Sequence, residues 1–424
     1  MNGKERIRTA LHWGRDEDHE PDRVPVWELG FHNAVARRIM GRDILHAVGG
    51  GRTMLAVLRA NADGQEARQA IVRRIVDDTL TFTDHMNYDM VRLRPTDFLT
   101  PVAFGSGNWS PNALLDATIE ETAPYTWRIT HTASGLWSEH RYNDDAETLA
   151  DTGDAIKEGG IEVFRRYVEA LEAQPLDLMQ PPWPDALDGI RQAVAHPAAK
   201  DIFVLGWGDV CYPGATAHIA VFLEAMALAP ELVERYMAVT TEGIVALVAE
   251  QAKLGVDGIT GGNDWAFKTG PMFSVRHLRR FIAPYLKRIV DEAHRHGLPY
   301  IKHGDGDLRT HLPVLVDEVG IDGLHAIEPN ANMDIVDLKR RYGDRLTLLG
   351  NFDCDLLARG TPEQIDVEVA RLMREVAPGG GYVFSTSNSV LMDVPLENLR
   401  AMDTAARRYG VYPICQDAEE GRSL

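Results

Sequence analysis

The sequence contains no long apolar run. No stretch of about 18 apolar residues occurs in its 424 residues, so no transmembrane helix is predicted. The N-terminus is charged and lacks the apolar core of a signal peptide, which predicts a cytoplasmic protein. Basic residues are outnumbered: 44 Lys and Arg stand against 63 Asp and Glu, a formal charge of −19. Because an acidic surface repels nucleic acid and anionic lipid, we expect neither as a partner.

Cysteine is rare as well. Cys211, Cys354 and Cys415 lie far apart, form no CxxC pair and fit no structural zinc spacing, which is typical of a reduced protein with small buried thiols. The phosphate-cradling GxGxxG loop after a first strand, the GxxxxGK[ST] loop and the GxSxG elbow are also missing. Nucleotide binding and serine hydrolysis are therefore not predicted.

From about residue 200 onward, short apolar runs alternate with longer amphipathic segments. The strand-like runs are FVLGW (203–207), GITGG (258–262), YIKHG (300–304), GLHAIEP (323–329), LTLLGNFD (346–353) and YVFSTS (382–387). This alternation predicts a parallel sheet with right-handed crossovers. With VPVWEL (24–29) and YDMVRL (88–93) as earlier strands, the pattern predicts a (β/α)8 TIM barrel with an N-terminal helical extension.

The helices of this barrel can be predicted too. The candidates are 232–254, 275–296, 312–319, 335–342 and a last helix from about Pro395 to Gly410. Between residues about 124 and 142, apolar and polar residues alternate around Ser134-Gly135, which predicts an inserted β-hairpin. We therefore expect a single domain over residues 1–413, a polar tail over 414–424, and a homodimer.

Polar side chains follow nearly every predicted strand of the second half. Since the active site of a TIM barrel lies at the carboxyl ends of its strands, these side chains should share one rim. Asp and Asn at strand ends also cap the next helix, so capping is an open alternative for each residue taken singly. The candidates are Asp264, His303, Asp305, His325, Glu328, Asn351, Asp353 and Asn388, with Glu28 after the first strand.

His303 and Asp305 are the centre of this prediction. Residues i and i+2 of an extended segment point the same way, so both side chains can reach one point. Together with Glu328 or Asp264 they form a nitrogen and oxygen set that suits zinc or another divalent metal. A histidine hydrogen-bonded to carboxylates without a metal remains the alternative.

Aromatic residues near strand ends could line an apolar substrate pocket. We take Trp27, Trp207 and Trp265 as candidates for this role, although such residues also form ordinary core.

Several segments resemble the uroporphyrinogen decarboxylase superfamily. The opening KERIRTALHWGRDEDHEPDRVPVWE is similar to its first helix and PDRVPV segment. GVDGITGGNDWAFKTGPMFSVRHLRRFIAPYLKRIVDEAHRHGLPYIKHGDGD is similar to its central block, and YGDRLTLLGNFD, RGTPE and GGGYVFSTSNSVLMDVPLEN resemble its C-terminal third. The resemblance implies a TIM barrel and either tetrapyrrole decarboxylation or methyl transfer that involves a corrinoid protein.

Two departures from the family pattern narrow this choice. True uroporphyrinogen decarboxylases carry Arg-Gln-Ala-Gly-Arg-Tyr after the first strand to hold substrate carboxylates, whereas this chain reads WELGFHNAVARR (27–38), and Asn388 replaces a family histidine. The thiol-methylating branch holds zinc through His-x-Cys and a later Cys. His303 matches that histidine, but Asp305 and Asn388 stand at the cysteine positions, so thiolate ligation is excluded there.

What remains resembles corrinoid-linked methyltransferases that demethylate small O- or N-methyl compounds. We take Asp264, His303, Asp305 and Glu328 as the catalytic groups of such a reaction. A metal would activate the leaving oxygen, or, without a metal, Asp264 or Glu328 would serve as general acid. A decarboxylase of a small aromatic or tetrapyrrole-like acid is the alternative, in which Arg92 or Arg94 should face the cavity. A barrel that binds a ligand without catalysis is the third.

Overall fold

The computed structural model describes residues 1–11, 20–95, 117–132, 135–173, 183–213 and 216–414. Its strands are β1 (Met90–Arg92), β2 (Ala117–Ala123), β3 (Thr126–His131), β4 (Trp137–Asn143), β5 (Thr148–Asp154), β6 (Phe203–Trp207), β7 (Gly258–Gly261), β8 (Ala266–Phe267), β9 (Gly270–Pro271), β10 (Tyr300–Gly304), β11 (Gly323–Ala326), β12 (Thr347–Phe352) and β13 (Tyr382–Thr386). Seven of them form one parallel sheet in the order β1-β6-β7-β10-β11-β12-β13. This confirms the predicted TIM-barrel-like fold.

The segment predicted as the first strand, 24–29, joins the two edges of this sheet. The amide of Trp27 donates to the Phe384 carbonyl at 3.0 Å, and the amide of Asp89 donates to the Val26 carbonyl at 2.9 Å. Val26 forms an isolated parallel bridge to Phe384 and no continuous strand. The prediction of a full strand was therefore wrong in detail, because Pro25 cannot donate a ladder hydrogen bond. The segment nevertheless closes the barrel.

The helices surround this sheet. They are α1 (Gly3–Ala10), α2 (Asn33–Met40), α3 (Gly51–Asp63), α4 (Gln65–His85), α5 (Ala155–Ala173), α6 (Trp183–Ala195), α7 (Ile219–Leu228), α8 (Pro230–Leu254), α9 (Val275–His277), α10 (Ala283–Arg295), α11 (Ile335–Tyr342), α12 (Cys354–Arg359), α13 (Pro362–Val376) and α14 (Leu396–Tyr409). Within the described ranges, none is long and apolar enough to cross a membrane.

Two predicted helices differ from regular α-helix. The predicted helix 275–296 contains a π-helical turn at Leu278–Ile282, just before Pro284, whose missing N–H interrupts the regular hydrogen-bond ladder. The predicted helix 312–319 is a π-helical segment over Val314–Val319.

The inside of the barrel is a separate apolar core. Its buried members are Ile7, Ala10, Leu11, Trp27, Leu29, Met90, Phe203, Leu205, Ile301, Leu349 and Val383. Since strand side chains alternate, the residues two positions further along point inward at the carboxyl ends of the strands, which we call the mouth. By this alternation we expect the side chains at the mouth to be those of Arg92, Trp207, His303, Asn351 and Ser385.

The insertion is larger than the predicted hairpin. Strands β2 to β5 form a four-stranded antiparallel sheet over residues 117–154, and β3 and β4 fall within the predicted 124–142. The outer strands β2 and β5 are largely exposed or half-buried along their length, so their sequences lack a clear apolar alternation. Ser134 of the predicted turn, the tail from 415 and Cys415 lie outside the described residues.

Candidate functional site

Three side chains at the mouth come close enough to hold one metal ion. Asp264, His303 and Asp305 each offer one ligand atom, and these atoms lie within 4.8 Å of one another. His303 Nε2 lies 3.8 Å from Asp264 Oδ1 and 3.5 Å from Asp305 Oδ1. In the part of the chain that the structure describes, no other three His, Cys, Asp or Glu side chains come this close. We call these three residues the mouth cluster.

The turn after β10 sets the position of Asp305. Its backbone amide donates to Asp264 Oδ1 at 3.0 Å, and Asn388 Nδ2 donates to Asp305 Oδ2 at 2.9 Å. The next residue, Gly306, has φ +82°, and a Cβ there would lie 2.5 Å from the Ala266 carbonyl oxygen. Only glycine fits this close approach without strain.

Glu328 supports this turn instead of joining the cluster. Its Oε2 accepts a hydrogen bond from the Gly306 amide at 2.8 Å. The sequence offered Glu328 and Asp264 as alternative third ligands, and the structure brings Asp264 within reach of His303. Glu328 nevertheless adds negative charge beside Asp305.

The pKa values of Asp305 and His303 in the mouth cluster are shifted in opposite directions. Burial, followed by the neighbouring charges of Asp264 and Glu328, raises the pKa of Asp305. Burial lowers the pKa of His303 well below its ordinary value, and the cation of Lys302 lowers it further. The imidazole is therefore neutral, and a neutral imidazole nitrogen is the form that binds metals.

The donor set also fits a divalent cation. Asp305 Oδ1 is buried and has no hydrogen-bond partner among the described residues. A cation there would satisfy this oxygen and offset the repulsion between two carboxylates. One nitrogen and two carboxylate oxygens suit zinc, although oxygen-rich sets are less selective for it.

A buried ion pair lies behind the cluster and was missed by sequence reasoning. Lys302 and Asp209 have fully buried side chains whose Nζ and Oδ2 are 3.2 Å apart. Lys302 Nζ also donates to the Asn263 carbonyl at 2.9 Å and lies 4.3 Å from the centre of the Trp265 ring. The pair thus anchors the segment that carries Asp264. A lysine inside an apolar strand was the available signal, since buried lysines are nearly always paired.

His325 lies directly beside His303. Their Nδ1 atoms are 2.7 Å apart, and the Trp27 and His325 rings pack edge to face with their centres 4.9 Å apart. Both residues were predicted to bind substrate, yet His325 is fully buried and Trp27 is 1% exposed.

Arg92 is a buried cation close to the mouth cluster. It is 6% exposed, and its Nη1 would lie 3.5 Å from a Cβ placed on Gly262. Its charge contributes to the lowered pKa of both His303 and His325, after burial and other nearer groups. The arginine that the decarboxylase alternative predicts therefore lies close to the mouth cluster.

Glu28 points away from the mouth. Its neighbours Trp27 and Leu29 belong to the inner core, so alternation directs Glu28 to the outer face. There both carboxylate oxygens accept from the Thr386 amide, at 3.1 and 3.2 Å, and Oε2 also accepts from the Thr386 hydroxyl. Burial raises its pKa well above the ordinary value. The predicted substrate contact has no support in this arrangement.

The remaining candidates make structural contacts. Asn351 Nδ2 donates to the Ile327 carbonyl at 2.9 Å, and Asp353 caps α12 by accepting from the Asp355 amide at 2.9 Å. Trp207 and Trp265 are at most 1% exposed and pack as core. Of this group only Asn388, through Asp305, contacts the mouth cluster.

Comparison with known proteins gives two kinds of similarity. Residues 210–409 match the family model of uroporphyrinogen decarboxylase (URO-D). Among curated proteins, the uroporphyrinogen decarboxylases of Pseudoalteromonas translucida and Xanthomonas axonopodis pv. citri are 27% and 28% identical over 206 and 221 residues. These alignments cover 46% and 48% of this chain but only 54% and 59% of the relatives, so the chain spans little more than half their length.

A solved methyltransferase from Methanosarcina mazei shares the fold across almost the whole chain. The superposition has a TM-score of 0.62 at 16% identity and covers 96% of this chain and 99% of that protein. The matched region 210–409, a little under half of the chain, is thus similar to the uroporphyrinogen decarboxylase family, and the methyltransferase structure shows the same fold.

Proposed function

We propose that this protein is a methyltransferase that demethylates a small O- or N-methyl compound, with a corrinoid on a partner protein as the methyl acceptor. The observation that carries the proposal is the mouth cluster, in which a neutral His303 faces two carboxylates at the end of the barrel where TIM-barrel enzymes react. A divalent metal, with zinc as the first choice, is part of the proposal.

The side chains have separable roles in it. Asp264 Oδ1, His303 Nε2 and Asp305 Oδ1 would hold the metal, which when bound supplies Lewis-acid polarisation of the leaving oxygen or nitrogen. Asn388 holds Asp305 Oδ2, so that Oδ1 is left toward His303. Glu328 fixes the turn through Gly306.

The chemistry balances without an added oxidant or reductant. The bond between the methyl carbon and its oxygen or nitrogen breaks, the electron pair stays on that heteroatom, and the methyl group passes to the nucleophilic acceptor. The heteroatom then takes a proton. In a metal-free version Asp305 supplies it, because burial and two neighbouring carboxylates raise its pKa and let it retain a proton.

The test is a methyl-transfer assay with reduced cobalamin, followed by its absorbance change, over a panel of methoxy-aromatic and methylamine donors. We expect activity in the wild type and its loss in His303→Ala. His294→Ala is the matched control, because His294 lies on α10, pairs with Asp322 at 2.8 Å and does not contact the mouth cluster. Elemental analysis of the same proteins should find zinc in all but His303→Ala. Absence of transfer from every donor would refute the proposal.

A decarboxylase remains the second candidate, favoured by the family-model match and by the position of Arg92 near Gly262. Carbon dioxide release from a panel of aromatic acids, lost in Arg92→Gln, would support it in place of methyl transfer. If neither activity is found but a ligand raises the melting temperature, the barrel acts as a binding protein.

A further inference from the structure

The two mouth histidines form a hydrogen-bonded pair. His303 and His325 face each other in register on β10 and β11, and their Nδ1 atoms are 2.7 Å apart. The rings lie 29° from parallel with centres 5.0 Å apart. A neutral imidazole carries one N–H and one acceptor nitrogen. A hydrogen bond between the two Nδ1 atoms therefore requires that one of them, and only one, carries the hydrogen.

Both rings lie inside the protein, His303 being 6% exposed and His325 fully buried. Two neutral imidazoles hold two ring hydrogens in total, one on each ring. With one hydrogen between the two Nδ1 atoms, the pair can exist as two tautomeric arrangements.

A cation at the mouth cluster would select one of these arrangements. His303 Nδ1 faces His325, so only Nε2, which lies 3.5 Å from Asp305 Oδ1, is available as a ligand. A ligating Nε2 must present its lone pair, which puts the ring hydrogen on Nδ1. His325 must then accept through its own Nδ1 and carry its hydrogen on Nε2.

We propose that His325 is the positioning residue of the mouth cluster: its Nδ1 accepts the hydrogen from His303 Nδ1 and holds His303 in the tautomer and orientation that bind a divalent cation. The Trp27 ring, which packs edge to face with the His325 ring at an angle of 63°, keeps that ring in place. This inference rests on the metal of the proposed function, and it changes His325 from a substrate contact into a support for His303.

Two substitutions of His325 distinguish the effect of its hydrogen-bond acceptor from the effect of its ring volume. In His325→Asn the side-chain oxygen lies near the former Nδ1 and can accept, whereas His325→Phe keeps the ring volume without an acceptor. Zinc affinity, measured by competition with a chelator, should fall roughly tenfold to hundredfold in His325→Phe and stay within a few fold in His325→Asn. His140→Phe is the matched control, because His140 is also buried but bonds Ser138 in the insertion sheet; its zinc affinity should not change.

A spectroscopic measurement tests the tautomer directly and needs no variant. In protein labelled with ¹⁵N-histidine, zinc should give His303 Nδ1 the chemical shift of a protonated nitrogen and His325 Nδ1 that of an unprotonated one. An unprotonated His303 Nδ1 in the zinc-bound protein would overturn the inference, as would wild-type zinc affinity in a folded His325→Phe.

These outcomes are independent of methyl transfer. A wild type that transfers methyl groups but binds no zinc would overturn the role of His325 and leave the proposed reaction intact. A wild type in which zinc orders the pair as described, but which demethylates no donor, would support the role of His325 and refute the reaction.

Discussion

Two buried histidines of this protein lie beside aspartates, and the two arrangements differ. His218 Nδ1 and Asp154 Oδ2 are 2.8 Å apart, with side chains at most 3% exposed, and Asp154 Oδ1 accepts the Lys157 amide at 2.7 Å. Both oxygens of Asp154 are thus satisfied. In the mouth cluster, His303 Nε2 is 3.5 Å or more from the carboxylates, and Asp305 Oδ1 has no hydrogen-bond partner among the described residues.

The pKa shifts of the two aspartates have opposite signs. Burial opposes ionisation of Asp154, but the hydrogen bonds from His218 and from backbone amides outweigh it and lower its pKa. The pKa of Asp305 is raised, because burial and like charges prevail. The first pair is a completed hydrogen-bonded pair that stabilises the fold. In the mouth cluster the charged form of Asp305 is disfavoured, as is often the case in sites that bind ligands.

Breaking the completed pair should have the largest effect on stability. Asp154→Ala leaves buried His218 without its carboxylate, and we expect the free energy of unfolding to fall by about 3 kcal/mol. Urea denaturation measures this change. The zinc affinity of the folded variant should remain that of the wild type, and a loss of zinc binding would show that the two histidine sites are coupled.

Neutralising the open site should act in the opposite direction. Asp305→Asn removes a carboxylate that is unfavourable in the native state, so the metal-free protein should gain about 1 kcal/mol of stability. Thermal unfolding in the presence of a chelator measures the gain, and zinc binding should weaken in the same variant. A destabilised Asp305→Asn protein would mean that the carboxylate contributes to the fold as Asp154 does.

The stability changes of Asp154→Ala and Asp305→Asn should also depend differently on pH, which is a smaller effect than either change itself. A raised native pKa means that Asp305 takes up its proton in the native state first, so the gain in Asp305→Asn should vanish as the pH falls from neutral to about 4. A lowered native pKa means that the loss in Asp154→Ala should stay constant over this range and shrink only below about pH 4. Parallel denaturation curves at several pH values check this, and equal slopes would contradict it.

Most of the barrel could be predicted from the sequence because its strands are buried on both faces. Each of the six runs from 203 to 387 contains the observed strand, since continuous apolar runs between turn residues are a strong signal. Segment 24–29 was harder, because its pairing is supplied by distant strand neighbours at Phe384 and Asp89. The outer strands of the insertion had no alternation to detect.

Only those site residues that directly follow a predicted strand could be identified from the sequence. Asp264, His303 and Asp305 follow apolar runs, and parallel topology brings such ends together. Contacts that depend on register or on long-range packing could not be inferred. Three contacts are of this kind: His303 faces His325, Lys302 pairs with Asp209, and Glu28 points outward to Thr386. In each case the partner is far away in sequence.

The position of helix α1 determines from which end of the barrel a small molecule can approach His303. Its residues Ile7 and Ala10 belong to the inner core, and Ala10 accepts a hydrogen bond from the Thr347 hydroxyl at the start of β12, so the helix seals the amino-terminal end of the barrel. In the part of the chain that the structure describes, we then expect molecules to reach His303 from the mouth. A methyl donor and a methyl acceptor that both need His303 would approach it from the same end of the barrel. The order in which they bind and leave would then be part of the reaction.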